Sequence, residues 1–283
     1  MLQKLKNYIK TPKGFGQYMN TLSIFAPRKA GEIAFRVFCT PRKGRAFNKG
    51  QARIIAQASQ ERLPLHDFEL QTYVWEGGEE KVLLVHGWDS NAARWRPVIG
   101  TLRSAGYTVI CFDAPGHGKS GSDIINGVLY AEAIEKVAKR FPPDYVVGHS
   151  FGGMGVGNYF ANFNAVPIKR LILMATPSKL SRVLDDYYKL IGLNERCQKA
   201  VDKYFKKEFG FEIEDFAIEE FAKKIKLPGL VMHDKEDATT PFYEGQAIHE
   251  NWEDSDFFTV DGVGHSLQNR DVYKQILVEI QKG

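Results

Sequence analysis

Residues 81–86, Lys-Val-Leu-Leu-Val-His, are almost wholly apolar, and short runs of the same kind return along the chain at residues 107–112, 145–148, 171–174, 229–232 and 257–260. Stretches of helical period stand between or after them, at residues 128–140, 154–163 and 271–280. A strand apolar on both faces needs cover on both sides, and a helix-length connection is what joins parallel neighbours. The alternation predicts an α/β fold with a mostly parallel central sheet flanked by helices, and it puts ligand-binding loops at the carboxyl ends of the strands. Residues 68–75 alternate with a period of two, as a strand with one buried face does, and residues 48–60 fit a helix before it.

One interval breaks the rhythm. Residues 177–227 contain no strand pattern but show helical patterns around 180–190, 195–209 and 215–225. Some fifty residues are too many for an ordinary connection, so the interval is expected to be an inserted helical cap above a core of residues 68–176 and 228–283. Phe205, Phe209, Phe211, Phe216 and Phe221 read as the core of that cap.

The net charge of +4 is unevenly spread: residues 1–50 hold eleven Lys or Arg against Glu32 alone, leaving the rest of the chain at about −6. Residues 1–67 are therefore expected as a basic amino-terminal segment packed on or beside the core, with Leu2, Leu5 and Ile9 docking its first helix. Peripheral contact with an acidic lipid surface is the weaker alternative. No recognition-helix motif or regular interleaving of aromatic and basic residues is present, so no nucleic-acid partner is expected. Cys39, Cys111 and Cys197 are odd in number and far apart, which excludes a fully paired disulfide framework and a close metal-ligand spacing. With no secretory signal pattern and no apolar run of about 18 residues, a cytoplasmic location is expected.

Residues 148–152, Gly-His-Ser-Phe-Gly, follow the strand pattern of residues 145–148 and precede a helical one. G-x-S-x-G in a strand, sharp turn and helix context projects its serine into a cleft, so Ser150 is the candidate nucleophile. A serine hydroxyl needs a base and a group to orient that base. His265, in the glycine-rich stretch Asp261-Gly-Val-Gly-His after the last strand, is the candidate base; His149 reads as structural and His86 as loop-shaping. Residues 232–237, Met-His-Asp-Lys-Glu-Asp, offer three carboxylates, of which Asp237 is the candidate acid and Asp234 and Glu236 are expected as loop or surface residues. The developing oxyanion needs preorganised donors, for which the backbone N–H groups of Phe151 and Trp88 are the candidates. This chemistry calls for no metal and no organic cofactor.

Four separated motifs occur in one order: His86-Gly-Trp88, Phe112-Asp-Ala-Pro-Gly-His-Gly-Lys-Ser120, Gly148-His-Ser-Phe-Gly152, and His233-Asp-Lys-Glu-Asp237 followed by Gly264-His265. On these the chain resembles the α/β-hydrolase superfamily over essentially residues 68–283, and its long basic amino-terminal segment is similar to that of bacterial serine hydrolases with a helical cap. The resemblance implies, in motif order, an oxyanion loop, a structural loop, a nucleophile elbow, and an acid followed by a base. A serine at the elbow argues against haloalkane dehalogenase and epoxide hydrolase chemistry, whose relatives carry an aspartate there. Asp234 departs from the family pattern, which commonly has glycine, and this loosens the expected geometry around Asp237. The implied activity is hydrolysis of a small to medium carboxylic ester, a small-molecule acyl substrate, through an acyl-enzyme. A thioesterase or carbon–carbon bond hydrolase using the same residues is the enzymatic alternative, and an inert ligand-binding or scaffolding protein is the alternative of a different class.

Overall fold

The computed structural model describes residues 11–283, so Leu2, Leu5 and Ile9 lie outside the described residues. The chain divides into two compact units: residues 41–178 with 218–283, and the amino-terminal residues up to Thr40 with Lys179–Ala217. The sequence reading keeps residues 1–67 as one segment, whereas the packing divides it after Thr40.

In the larger unit, β1 (Ser59–Leu65), β2 (Phe68–Trp75), β3 (Lys81–Val85), β4 (Thr108–Phe112), β5 (Tyr145–His149), β6 (Arg170–Met174), β7 (Gly229–Asp234) and β8 (Ser255–Val260) form one sheet in the order β1-β2-β4-β3-β5-β6-β7-β8. The six strands β3 to β8 pair in parallel, and β1 with β2 and β2 with β4 in antiparallel fashion. Val82 faces Val109 of β4 on one side and Tyr145 of β5 on the other, so the most apolar strand lies inside the sheet. Val82, Leu84, Val109, Cys111, Val147 and Ile172 share a core with Ile99 and Leu102 of the Arg96–Ser104 helix and Val272 and Ile276 of the Arg270–Ile280 helix. The alternate residues Leu83, Val85, Ile110, Val146 and Leu173 are buried as well, because the Gly127–Arg140 and Phe151–Asn162 helices belong to the same unit and pack on each other. Each such aliphatic side chain contributes about 1.5–3 kcal/mol relative to exposure.

β1 departs from the expectation. Residues 59–65 include Gln60, Glu61, Arg62 and Pro64, and most of them are exposed, so no apolar alternation marks the strand. It survives as an antiparallel edge on β2, where a proline and charges are tolerated. The helical pattern at 215–225 resolves into a single turn at Ile213–Asp215 and a short helix at Ile218–Ala222, and the latter packs on the Phe151–Asn162 helix in the larger unit.

Among its described residues, the smaller unit contains helices and no strand. Its amino-terminal part is a pair of helices, Pro12–Phe25 and Pro27–Phe38, broken at Ala26, which leaves helical geometry, and at Pro27, which has no N–H to continue the ladder. They pack with Leu180–Ile191 and Glu195–Phe209. The approach is close: a Cβ on Gly31 would stand 2.1 Å from the Ala200 carbonyl oxygen, and one on Gly16 1.7 Å from that of Ile191. Phe35 sits among Tyr204, Phe205 and Phe209, with the Phe205 ring edge-on at 5.6 Å, and the Tyr187 hydroxyl donates to the Ala34 carbonyl at 3.0 Å. Phe211 and Phe216 extend this aromatic cluster, whereas Phe221 lies in the larger unit. No helix among the described residues is long and apolar enough to cross a membrane.

Candidate active site

Ser150 stands between the end of β5 and the first residue of the Phe151–Asn162 helix, with φ 55° and ψ −126°. A non-glycine residue reaches this region only when its surroundings impose it. Here the Ser150 N–H donates to the Met174 carbonyl at 2.8 Å, and the next turn presses so closely on the end of β3 that a Cβ on Gly152 would stand 2.3 Å from the His86 oxygen.

The sequence-predicted trio converges. The Ser150 hydroxyl is 2.9 Å from His265 Nε2, and His265 Nδ1 is 2.8 Å from Asp237 Oδ2. A carboxylate only accepts, so Nδ1 carries the proton and Nε2 is left to receive one from serine. The Asp237 side chain is fully buried, whereas His265 remains 22% exposed. Burial, the largest single influence on Asp237, pushes its pKa upward; the His265 hydrogen bond, the Thr240 N–H, the His265 charge and the Thr239 N–H together outweigh it and hold the carboxyl below its ordinary range. Its second oxygen, Oδ1, accepts the Thr239 and Thr240 N–H groups at 2.8 and 2.9 Å.

Asp234 corrects the sequence reading. Far from being a surface residue, it is fully buried and accepts the backbone N–H groups of Glu236, Val263 and Gly264. It thereby fastens the His265 loop to the end of β7, which tightens the geometry that a glycine there would leave loose. The available signal was register, since Asp234 continues the alternation of Leu230 and Met232 and pairs with Val260. Glu236 is exposed, as expected.

Two further side chains hold the same loop. His149 Nε2 donates to the His265 carbonyl at 2.9 Å, and burial, reinforced by the Arg94 charge, drives its pKa well down so that it stays neutral. Arg94 donates to the Ser266 carbonyl at 2.9 Å, and burial lowers its pKa to about 10. Sequence reasoning missed Arg94, for no local pattern marks it.

The Phe151 N–H belongs to the first turn of its helix, where no preceding carbonyl of the helix is available. The loop bearing Trp88 passes against the nucleophile, since a Cβ on Gly87 would stand 3.0 Å from the Ser150 Cβ, and the Trp88 and Phe151 rings meet edge-on at 4.9 Å. His86 braces this loop: Nδ1 donates to the Gly87 carbonyl at 2.8 Å, Nε2 accepts the Ala114 N–H at 2.9 Å, and burial keeps the ring neutral. Asp113 accepts from the Ala92 N–H, the Lys119 N–H and the Tyr73 hydroxyl, and His117 Nε2 accepts the Asp89 N–H, so the motif that carries them is structural.

The sheet order, the elbow and the carboxyl-end loops define the class: the chain has the α/β-hydrolase fold. A family profile described as alpha/beta hydrolase fold matches residues 81–191. The pimeloyl-(acyl-carrier protein) methyl ester esterase of Pseudoalteromonas atlantica is 28% identical over 50% of this chain and 52% of its own length. The 2-hydroxy-6-oxo-6-phenylhexa-2,4-dienoate hydrolase of Burkholderia cepacia is 34% identical over 29% of this chain and 32% of its own. The chain thus spans about half the length, or less, of these curated relatives. The structure of Est1E from Butyrivibrio proteoclasticus with bound ferulic acid aligns over 78% of this chain and 99% of its own, with a TM-score of 0.64 and 19% identity.

Proposed function

We propose that the protein is a serine hydrolase that cleaves small to medium carboxylic esters through an acyl-enzyme on Ser150. The observation that carries this reading is the unbroken relay from the Ser150 hydroxyl through His265 to the buried Asp237. In acylation, His265 Nε2 takes the hydroxyl proton as Oγ attacks the carbonyl carbon, and the oxyanion turns toward the Phe151 and Trp88 N–H groups. The tetrahedral intermediate collapses by expelling the alcohol, to which His265 returns the proton. Water then attacks the acyl-enzyme, with His265 as base, and releases the acid and free serine. Asp237 keeps its charge throughout and stabilises the imidazolium that forms in each half. The intact relay also argues against the inert binding or scaffolding alternative.

The esterase activity named for the Pseudoalteromonas relative favours the ester bond, while the dienoate hydrolase named for the Burkholderia relative keeps carbon–carbon cleavage as a second reading. A fluorophosphonate probe is expected to label the protein and to fail on Ser150→Ala, and an unlabelled wild type would remove the hydrolase reading. Rates across acyl chain lengths, with matched esters, thioesters and amides, then separate the bond types. Turnover of a phenyl-substituted dienoate alone would transfer the assignment to carbon–carbon cleavage.

A further inference from the structure

Six large apolar side chains stand exposed among the described residues, and three of them, Tyr18, Ile24 and Phe25, lie on one helix of fourteen residues. Phe25 is 82% exposed and Ile24 56%. Scattered surface apolar residues are ordinary, but clustered ones mark a contact surface. Tyr18 and Phe25 are seven residues apart, hence on one face after two turns, and Ile24 adjoins Phe25 at the end of the helix. Directly beyond the break at Ala26 and Pro27 come Arg28 and Lys29, both exposed, with Lys29 Nζ 3.1 Å from the Glu32 carboxylate.

Charge selects the occupant. Residues 1–40 carry seven Lys or Arg and one acid, whereas residues 179–217 of the same unit carry eight of each sign. A second copy of so basic a segment repels the first. A nucleic acid would meet the cations but gains little from Ile24, which has no ring to stack on a base. A bilayer with acidic headgroups satisfies both features, since aromatic and aliphatic tips enter the acyl boundary while Lys and Arg stay with the phosphates.

We propose that the corner formed by Ile24, Phe25, Arg28 and Lys29 docks the protein on an anionic lipid bilayer. The test is sedimentation of the full chain with vesicles of phosphatidylcholine alone or mixed with phosphatidylglycerol. The mixed vesicles are expected to carry the protein down and the neutral ones to leave it in solution, with binding that weakens as salt rises. Ile24→Ser with Phe25→Ser is expected to reduce partitioning by more than about tenfold, and each of Arg28→Gln and Lys29→Gln by about fivefold. Because the substituted side chains are exposed, circular dichroism and thermal melting should match wild type. Failure of the wild type to sediment with mixed vesicles would overturn the proposal, as would undiminished binding by the Ile24/Phe25 variant. Tighter capture of a single-stranded oligonucleotide that ignores Phe25 would assign the surface to nucleic acid instead.

Discussion

Asp237 shows how one carboxylate ties chemistry to stability. Asp237→Asn keeps the shape but no longer secures the Nδ1–H tautomer of His265, so kcat for an ester substrate is expected to fall about 10⁴-fold. The same change has a pH signature. The folded state holds the carboxyl below its ordinary range, so its stabilising contribution is present above the unfolded value, about 3.9, and is lost as pH falls through the lower folded value. Urea unfolding of wild type and variant should therefore differ at neutral pH and converge in acid. The convergence of Ser150, His265 and Asp237 was legible in sequence because turn chemistry betrays such positions: glycines stand on both sides of the serine and ahead of the histidine, and strands precede all three. Register offered a signal for the burial of Asp234 but none for its role as a brace, since its three acceptor contacts involve backbone amides that look the same whatever residue carries them.

At the scale of elements, legibility followed apolar periodicity. The strands β3 to β7 are buried runs that announce themselves and β8 is half-buried, while β1, polar and proline-bearing, exists through its pairing with β2. The amino-terminal helices were hidden for a different reason, because their partners lie far along the chain and leave no local trace. Glycine substitutions test that packing by sign. Gly100 lies in the Arg96–Ser104 helix with nothing near its would-be Cβ, so Gly100→Ala should stabilise by about 0.5–1 kcal/mol through helix propensity. Gly31→Ala has the same propensity gain, but its Cβ meets the Ala200 carbonyl, and it should destabilise by about 1–3 kcal/mol. Thermal and urea denaturation of the two variants reads the opposite signs directly.

For the whole molecule, the cysteines are natural reporters of its two units. Cys39 and Cys197 lie in the smaller unit and Cys111 in the larger, and all three are buried free thiols. Burial raises all three pKa values, that of Cys197 to about 11, so the native protein should react slowly with a thiol reagent. Mass-resolved labelling along a denaturant series should modify Cys39 and Cys197 together, and any separation from Cys111 measures the difference in stability between the units.

The Tyr187 to Ala34 hydrogen bond joins residues 153 positions apart, and it belongs to the contacts that complete the smaller unit. During translation at about 5–20 residues per second, the Pro27–Phe38 helix therefore waits roughly eight to thirty seconds before its counterpart helices are made. Throughout that interval Phe35 has no aromatic neighbours from residues 204–209, which leaves its face of the helix uncovered until the second half of its bundle emerges from the ribosome.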